Sequence, residues 1–576
     1  MKKLLSLMLA VMLVLACGIY AVQAEETRTV DVDVVIVGAG GAGMSAAIEA
    51  VEAGASAIIL EKRPYAGGNT MRASGGVNAA GTDIQAAAGI EDSPEQFVQD
   101  ILRQGKNNDL ELVEYFASQG QETIDFCRKI GFEFSDTVQI QYNDPPRSHR
   151  DAENRSVGVV LVPLLLNQME LHGVTILYNT RATAFLTDED GAVIGVQAED
   201  EDGNEIIFHA GAVVNAAGGF GGSQELLAIY KPELVGYPTS GESTNTGDGI
   251  LMAQAVGAKL ANMDVTMTSA LEWNTLYSPG VTMTRNGMIR FDGEGNHVAS
   301  GNPNEEVIYG IYNATTEANS PTAAVFTSSG AAIIADTVRE LAEKIGADPD
   351  VMEAAMNDYN EDYQSEEKID RVTGSKITAL VNIAESGPYY AIRLINGVHY
   401  TAGGVVINVN AETLNENDEV IPGLYSAGEV TGGLHGSGRY TGNSIPETII
   451  FGRQAGRNAA AYALAKGHVE APEIAVEKTV EIAAQGNYKD GTYTASALGL
   501  NGEVTLSAVF DGGSLKEITT VESPETTSIY AGVERQLFPL IIANQSTENV
   551  DTITGATYAS QAVLNIMADI FEQASN

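Results

Sequence analysis

Short apolar runs, glycine turns and amphipathic stretches alternate along this chain. Residues 32–37 (VDVVIV) form an almost continuous apolar run, which is typical of a strand that is buried on both faces. Glycines follow, then an alanine-rich stretch from Met44 to Ala53 that suits a helix, and then a second apolar run at 57–60. This strand–helix–strand order predicts a parallel, doubly wound α/β sheet.

Strand and helix patterns of the same domain return later in the chain, on both sides of an inserted segment. Residues 212–219 predict a buried strand that runs into a glycine turn, and a long helix is predicted at 445–465. Between them, mixed strands and predicted helices at 331–345 and 349–363 indicate an α+β cap inserted into one nucleotide-binding domain. The predicted segments are a signal peptide (1–24), the first part of the nucleotide-binding domain (30–238), the inserted cap (239–384), the second part (385–466), a linker (467–485) and a small α+β domain (486–576).

The C-terminal segment has the pattern of a separate small domain. Apolar residues alternate in strand-like fashion at 491–496 and 504–510, and a final helix is predicted at 559–573. A chain of 576 residues is long enough for several such units. The only tryptophan, Trp273, is predicted to lie in the core of the cap, with the wall of an aromatic pocket as the alternative.

The N-terminus has the pattern of a secretory signal. Lys2 and Lys3 precede an apolar run at 4–20, and small residues at 22–24 are suited to cleavage. We therefore expect an exported protein that is extracytoplasmic or on the cell surface. A membrane anchor is one alternative, and lipid attachment at Cys17 is another.

The charge and the cysteines exclude several classes of partner. The chain has 32 basic and 76 acidic residues, and the net charge of −44 argues against nucleic acid and anionic membrane surfaces. Only Cys17 and Cys127 are present, so a mature chain without Cys17 can form no internal disulfide. No Cys-x-x-Cys-His motif occurs, which excludes covalent c-type haem. Cysteines and histidines are not clustered at metal-ligand spacing, so the sequence predicts no metal site of that kind.

Residues 38–43 (GAGGAG) match the pattern G-x-G-x-x-G, with Gly38, Gly40 and Gly43 as its glycines. The motif follows a predicted strand, begins a predicted helix, and has Glu61 at the end of the next strand. Glycines allow the backbone to approach a pyrophosphate, the helix N-terminus donates N–H groups, and a carboxylate can accept from ribose hydroxyls. Together these features predict a dinucleotide site.

Further glycine-rich motifs follow at 67–70 (GGNT), 73–78 (ASGGVN), 246–249 (TGDG) and 427–433 (AGEVTGG). With these motifs the chain resembles the fumarate reductase and succinate dehydrogenase flavoproteins, in their soluble flavocytochrome c and urocanate reductase-like branch. No histidine occurs at 67–76, so the resemblance implies non-covalent FAD. The implied FAD-contacting residues are Gly38, Gly40, Ala42, Gly43, Glu61, Asn69, Thr70, Ser74, Gly75, Ala182, Asp248, Tyr400, Glu429, Ser444 and Ile445.

Residues 551–557 (DTITGAT) resemble the flavinylation signature of FMN-binding domains. The resemblance implies that Thr557 receives FMN through a phosphodiester bond that an exported flavin transferase makes; a helix-capping threonine is the alternative. FMN would then take electrons from an external donor, such as a membrane flavin or a quinol-linked redox protein. FAD would pass them to a small organic acceptor.

The substrate residues follow the resemblance only in part. His399 and Arg439 match a substrate-binding histidine and a carboxylate-binding arginine of the family, with Gly442 beside the arginine. Glu305 stands where the family has its proton-donating arginine, and Thr268 stands near the position of its first histidine. Since a carboxylate repels a dicarboxylate, we expect a substrate other than fumarate.

Another group must then protonate the substrate carbon, and several remain candidates. They are Glu305 itself, Tyr400, Tyr440, Arg285 and Arg290. The function predicted from the sequence is a terminal reductase of an activated C=C bond in an enoate or enone, as in anaerobic respiration. A flavin dehydrogenase of a ketosteroid-like substrate and a non-catalytic electron-transfer protein are the alternatives.

Overall fold

The computed structural model describes residues 28–139, 144–299, 306–470, 488–525, 527–547, 550, 552 and 556–575. The predicted signal peptide, Cys17 and Glu305 lie outside these residues. Most of the predicted linker, from residue 471 onward, also lies outside them. Of the flavinylation motif, Thr557 is described as the first residue of a helix.

Among the residues that the structure describes, the largest sheet has eight strands with a parallel centre. The first strand, Arg28–Val37, lies between Ala57–Leu60 and Glu205–Asn215 and is parallel to both. Parallel strands extend the sheet on each side, and antiparallel strands are added at Glu205–Asn215 and at one edge. The other strands are Thr175–Leu177, Arg181–Thr187, Val193–Glu199, Glu412–Leu414 and Val420–Ser426.

Two helices cover one face of this sheet and pack closely against each other. They are Gly41–Glu52 and Ser444–Leu464, near the predicted bounds. A Cβ at Gly452 or Gly456 would collide with the backbone of the first helix, so these glycines permit the close approach. This contact joins the two parts of the nucleotide-binding domain that the cap separates in sequence.

The cap is built on a separate antiparallel sheet. Its central strand is Tyr389–Thr401, which passes from the cap to the cavity described below. Its other strands are Thr266–Glu272, Ile289–Asp292, Ile308–Asn313 and Ile333–Ala335. The predicted helix at 331–345 is correct only from Val338, because Ile333–Ala335 pairs with the central strand. Trp273 is 44% exposed, so its predicted place in the core is wrong.

The described part of the C-terminal domain has three antiparallel strands and two helices around its own apolar core. The strands are Gly491–Leu498, Glu503–Asp511 and Ser514–Glu522, and the helices are Thr527–Asn544 and Thr557–Ser575. The first of these helices was not predicted. It contains Pro539 within an apolar stretch that lacks a clear helical period, so no local pattern predicts a helix there.

The remaining elements range from two to sixteen residues in length. The remaining helices are Gly68–Met71, Asp83–Ala87, Pro94–Gly105, Leu110–Ser118, Gly120–Lys129, Val157–Leu171, Gln224–Tyr230, Asp248–Ala255, Gly280–Arg285, Ala314–Asn319, Pro321–Ser328, Val338–Ile345 and Pro349–Gln364, with a 3₁₀ turn at Pro232–Leu234. The remaining strands are Val77–Asn78, Phe134–Gln139, Ser148–Asp151, Leu260–Ala261, Gly404–Val406 and Thr431–Gly432. Within the described residues, no helix combines the length and the apolar character needed to cross a membrane.

Candidate active site

A cavity of about 1280 Å³ lies between the nucleotide-binding domain, the cap and the C-terminal domain. It exceeds the usual 300–1,000 Å³ of small-molecule sites, so it has room for a large cofactor and a substrate together. The predicted site residues that line it are Gly38, Gly40, Ala42, Glu61, Asn69, Thr70, Ser74, Gly75, His399, Tyr400, Glu429, Arg439, Gly442, Ser444 and Ile445.

The glycine-rich turn has the geometry that a dinucleotide requires. Gly38 has a φ of 103°, which favours glycine, and a Cβ at Gly43 would collide with the carbonyl oxygen of Gly38. Gly43 therefore serves helix–strand packing and does not line the cavity. A Cβ at Gly40 or at Gly75 would meet open space, so the cavity comes directly against the backbone at both positions.

Glu61 is buried at the end of its strand, beside the glycine turn. Its two carboxylate oxygens accept hydrogen bonds from the backbone N–H groups of Ala39 and Arg63, each at 2.9 Å. Burial raises the pKa of Glu61, and these two donors oppose that effect. The carboxylate is thus fixed at the cavity wall, where it could accept from a ribose.

Glu429 joins three segments of the wall. Its carboxylate accepts a hydrogen bond from Asn69 Nδ2 at 2.7 Å and from the backbone N–H of Thr401 at 3.1 Å. Asn69 Oδ1 in turn accepts from the backbone N–H of Glu242. Burial raises the pKa of Glu429. This network was not evident from the sequence, because its members are far apart along the chain.

Two predicted cofactor contacts lie behind the wall. Asp248 accepts from Lys62 at 3.2 Å and from Arg181 at 3.1 Å, and Lys62 itself lines the cavity. Although burial opposes it, the hydrogen bond from Arg181 and the charge of Lys62 lower the pKa of Asp248. Ala182 is buried in the adjoining strand and does not line the cavity. Their contact with FAD stays a prediction.

Arg439 is 5% exposed and faces the cavity. Its guanidinium carbon lies 4.7 Å from the centroid of the Tyr400 ring, and its Nε is buried without a hydrogen-bond partner. No carboxylate among the described residues forms an ion pair with it. A buried guanidinium without an anion is costly, so this position suits an anionic ligand.

The hydroxyl group of Tyr400 is hydrogen-bonded to the buried carboxylate of Glu447. This hydroxyl donates to Glu447 Oε2 at 2.8 Å, and Nε2 of His435 lies 2.9 Å from the same oxygen. Burial and the charge of Glu447 raise the pKa of Tyr400 well above its usual range. The sequence reasoning missed Glu447 and His435, although both lie close to Arg439 along the chain.

His399 lies on the cavity wall at an irregularity of the cap sheet. Its Nδ1 is 2.7 Å from the hydroxyl oxygen of Ser240, and the strand register shifts at Met267 and Thr268, directly opposite. The surrounding protein and the positive charge of Arg439 lower the pKa of His399 to about 4. The ring is therefore neutral at neutral pH, and Thr268 lines the same part of the cavity.

The candidate proton donors differ in whether they line the cavity. Arg285 and Arg290 line the cavity, as Tyr400 does, whereas Tyr440 does not and donates to Asp144 at 2.9 Å. Gly442 also lines it with a φ of 92°, and a Cβ there would collide with the side chain of Asn78. Within the described residues, no group of histidine, cysteine and acidic side chains could hold a metal ion.

Comparison with known proteins is consistent with this geometry. Residues 33–445 match the FAD binding domain family, and residues 499–572 match the FMN-binding domain family. A fumarate reductase (cytochrome) from Shewanella frigidimarina is 34% identical over 447 residues, which cover 75% of this chain and 77% of that protein. The chain belongs to the fumarate reductase flavoprotein family.

Other members of the family show how widely it varies. An NADH:fumarate oxidoreductase from Klebsiella pneumoniae is 34% identical over 444 residues, 74% of this chain, but the chain spans only 47% of that protein. A urocanate reductase from Eggerthella lenta is 31% identical, covering 77% of this chain and 76% of its own. The open conformation of a flavocytochrome c3 fumarate reductase superposes with a TM-score of 0.67 at 30% identity, covering 77% of this chain and 80% of the other.

These relationships confirm the predicted family, fold class and enzyme class. This family member is a flavin-dependent oxidoreductase of the type that acts on CH–CH groups, with an FAD-binding domain and an FMN-binding domain. The open space at Gly40 and the backbone-fixed carboxylate of Glu61 both fit a dinucleotide such as FAD. The individual FAD contacts remain predictions.

Proposed function

We propose that this family member is an exported reductase that adds two electrons to the activated C=C bond of an enoate, with FAD bound non-covalently and FMN bonded to Thr557. The observation that carries the proposal is the buried, unpaired guanidinium of Arg439 on the wall of the cofactor-sized cavity. A guanidinium binds a carboxylate through two parallel hydrogen bonds. The single carbonyl oxygen of an enone cannot accept both and carries no charge, so an enoate is favoured as substrate.

Arg439 and His399 would act together on the substrate carboxylate. The lowered pKa of His399 keeps its imidazole neutral, so it can donate one hydrogen bond while Arg439 supplies the charge. The guanidinium lies over the ring of Tyr400, and this cation–π contact helps to hold it at the cavity wall. Holding the carboxylate in this way would position the adjacent C=C bond toward the reactive part of the cofactor.

The contact between the two flavin domains supports an internal electron route. Arg535 of the FMN-binding domain donates to the backbone oxygen of Pro64 at 2.7 Å, and its guanidinium lies 4.0 Å from the centroid of the Tyr178 ring. Asn501 of the same domain lines the shared cavity. When bound, FMN would collect electrons from the external donor and FAD would deliver a hydride to the C=C bond.

The candidate proton donors are narrowed by their hydrogen bonds. The proton of the Tyr400 hydroxyl is directed toward Glu447, and Tyr440 lies away from the cavity. Arg285 and Arg290 line the cavity, and Glu305 lies outside the described residues. Glu305 at the position of the family's donor arginine supports a substrate other than fumarate.

The proposal is tested with protein that is expressed with a flavin transferase and reduced anaerobically by dithionite. The reduced protein is mixed with fumarate, urocanate, acrylate and cinnamate while flavin absorbance is followed. One enoate should reoxidise the flavins rapidly in the wild type but not in Arg439→Ala. Arg393→Ala, which removes an exposed arginine of the cap, is the matched control and should behave as the wild type. Reoxidation by no member of an extended enoate series would leave the electron-transfer alternative standing.

A further inference from the structure

The cavity continues beneath the cap, beyond the residues that the proposed function uses. The described residues between 267 and 381 that line it include two arginines, Arg285 and Arg290, and no aspartate or glutamate. This absence is unusual in a chain whose net charge is −44. Glu242, at the start of the cap segment, also lines the cavity, but it forms ion pairs with Arg63 and Arg72. The cap wall therefore carries a local positive charge that favours an anionic ligand.

Arg290 has a defined position on this wall. In the strand Ile289–Asp292 it pairs with Gly310 of the next strand, and Gly310 pairs with Ile392. Gly310 has no side chain, and Met288 packs over it: a Cβ at Gly310 would lie 2.8 Å from the Met288 sulfur. Met288, on the same face, also lines the cavity.

No described group neutralises Arg290. None of the carboxylates in the described part of the chain forms an ion pair with its guanidinium. Burial lowers the pKa of Arg290, and no neighbouring anion opposes that effect. Asn319 and Thr322, which also line the cavity from the cap, are neutral. A partly buried guanidinium of this kind is stabilised when a ligand brings an anion.

Arg290 lies far from the carboxylate site along the sheet. Its register partner Gly310 pairs with Ile392 on the strand Tyr389–Thr401, and His399 follows Ile392 seven residues later on that strand. At about 3.3 Å per residue this separation is roughly 20 Å along the strand, less the reach of the two side chains. A ligand that touches both positions must be elongated.

We infer that Arg290 forms a second anion-binding subsite, which takes the distal carboxylate of an elongated enoate whose first carboxylate is bound by Arg439. This inference rests on the proposed function for the orientation of the substrate. Arg290 is a specificity-determining residue in this account: it contributes to binding of the distal end and takes no part in proton transfer. A substrate without a distal carboxylate does not make the contact with Arg290, but its first carboxylate still binds to Arg439.

The test measures binding to the oxidised holoprotein, so that it does not depend on turnover. Flavin difference spectra are recorded during titration with cinnamate, para-carboxycinnamate and para-(carboxymethyl)cinnamate. The wild type should bind at least one of the two diacids about 10- to 100-fold more tightly than cinnamate, as a charge-assisted hydrogen bond implies. Arg290→Leu should remove that difference, Arg290→Lys should restore part of it, and Arg393→Leu should leave it unchanged.

Three outcomes of the titrations would overturn the inference. They are equal affinity of wild type for the diacids and cinnamate, no binding of either diacid, or a diacid preference that survives Arg290→Leu. Equal loss of reduction rate for mono- and diacids in Arg290→Leu, with unchanged affinities, would make Arg290 a proton donor instead and would also contradict it. Failure of the proposed function is a separate result, since it means that no enoate reoxidises the reduced flavins.

Discussion

The guanidinium of Arg439 stacks on the ring of Tyr400, and the hydroxyl of that ring is hydrogen-bonded to the buried carboxylate of Glu447. The arginine is therefore held by an aromatic face rather than by a protein anion. Its hydrogen-bond donors remain available to the cavity, as a site for a substrate carboxylate requires. This arrangement sets the predictions that follow.

Arg439→Lys should retain the positive charge but lose the planar fork and the stacking contact. We expect kcat/KM for the best enoate to fall about tenfold in Arg439→Lys and at least about 100-fold in Arg439→Ala. Steady-state reduction with a low-potential dye as electron donor measures both. Equal activity of Arg439→Ala and wild type would show that the substrate carboxylate binds elsewhere.

Tyr400→Phe tests whether this hydroxyl supplies the substrate proton. Its proton is directed to Glu447, so the variant should lose less than about tenfold in kcat while it loses about 1–2 kcal/mol of unfolding free energy. Denaturant unfolding and steady-state assays give the two values. A loss of several hundredfold in kcat, with stability unchanged, would restore Tyr400 as the donor.

His399 should make the fold sensitive to mild acid. Its pKa in the folded protein is about 4, below the usual value of 6.5, so the unfolded chain binds more protons between these values. The free energy of unfolding should therefore fall as the pH drops from about 6.5 toward 4. Because the ring is exposed to the cavity, water screens the effect and a modest change is expected.

Melting temperatures of wild type and His399→Gln between pH 7 and pH 4.5 measure this dependence. The variant should lose less stability on acidification than the wild type. His209→Gln, on an exposed position of the large sheet, is the control and should follow the wild type. Parallel curves for wild type and His399→Gln would contradict the neutral state of the ring.

Two glycines of the same turn should respond differently to alanine. Gly43→Ala places a Cβ against the carbonyl oxygen of Gly38, so we expect a strongly destabilised protein. Gly40→Ala meets open space, so the protein should fold but bind FAD more weakly. Flavin content and melting temperature distinguish the two, and full FAD content in Gly40→Ala would place the pyrophosphate away from this turn.

Arg535 should affect transfer between the flavins. Arg535→Ala removes the hydrogen bond to Pro64 and the stacking on Tyr178, so the FMN-binding domain should dock less firmly. Stopped-flow reduction should show FMN reduced at the normal rate and FAD reduced several-fold more slowly. If FAD reduction is unchanged, this contact does not set the electron route.

Local sequence patterns predicted the nucleotide-binding half well. The run at 32–37 and the glycines after it gave the strand Arg28–Val37 and the turn, because both depend on neighbouring residues. The same reasoning placed Trp273 in the core, but its ring lies at the surface beneath Arg393. A single apolar residue in the cap carries no periodicity that could have placed it.

The rest of the site depends on contacts between distant segments. Glu429 meets Asn69 and Thr401 only after the two parts of the nucleotide-binding domain have come together. The place of Arg290 opposite Gly310 likewise depends on strand pairing, which no local pattern encodes. The resemblance of motifs predicted which residues line the cavity, but only the folded structure shows their hydrogen-bond partners.

The measurement that tests the central claim most directly is a single turnover of the reduced holoprotein with the enoate that reacts fastest. Flavin absorbance and the mass of the product are followed together. We expect one saturated acid, heavier by two hydrogens, for each two electrons lost from the flavins, and almost none with Arg439→Ala. Flavin reoxidation without a saturated acid, or an undiminished yield with Arg439→Ala, would contradict the account.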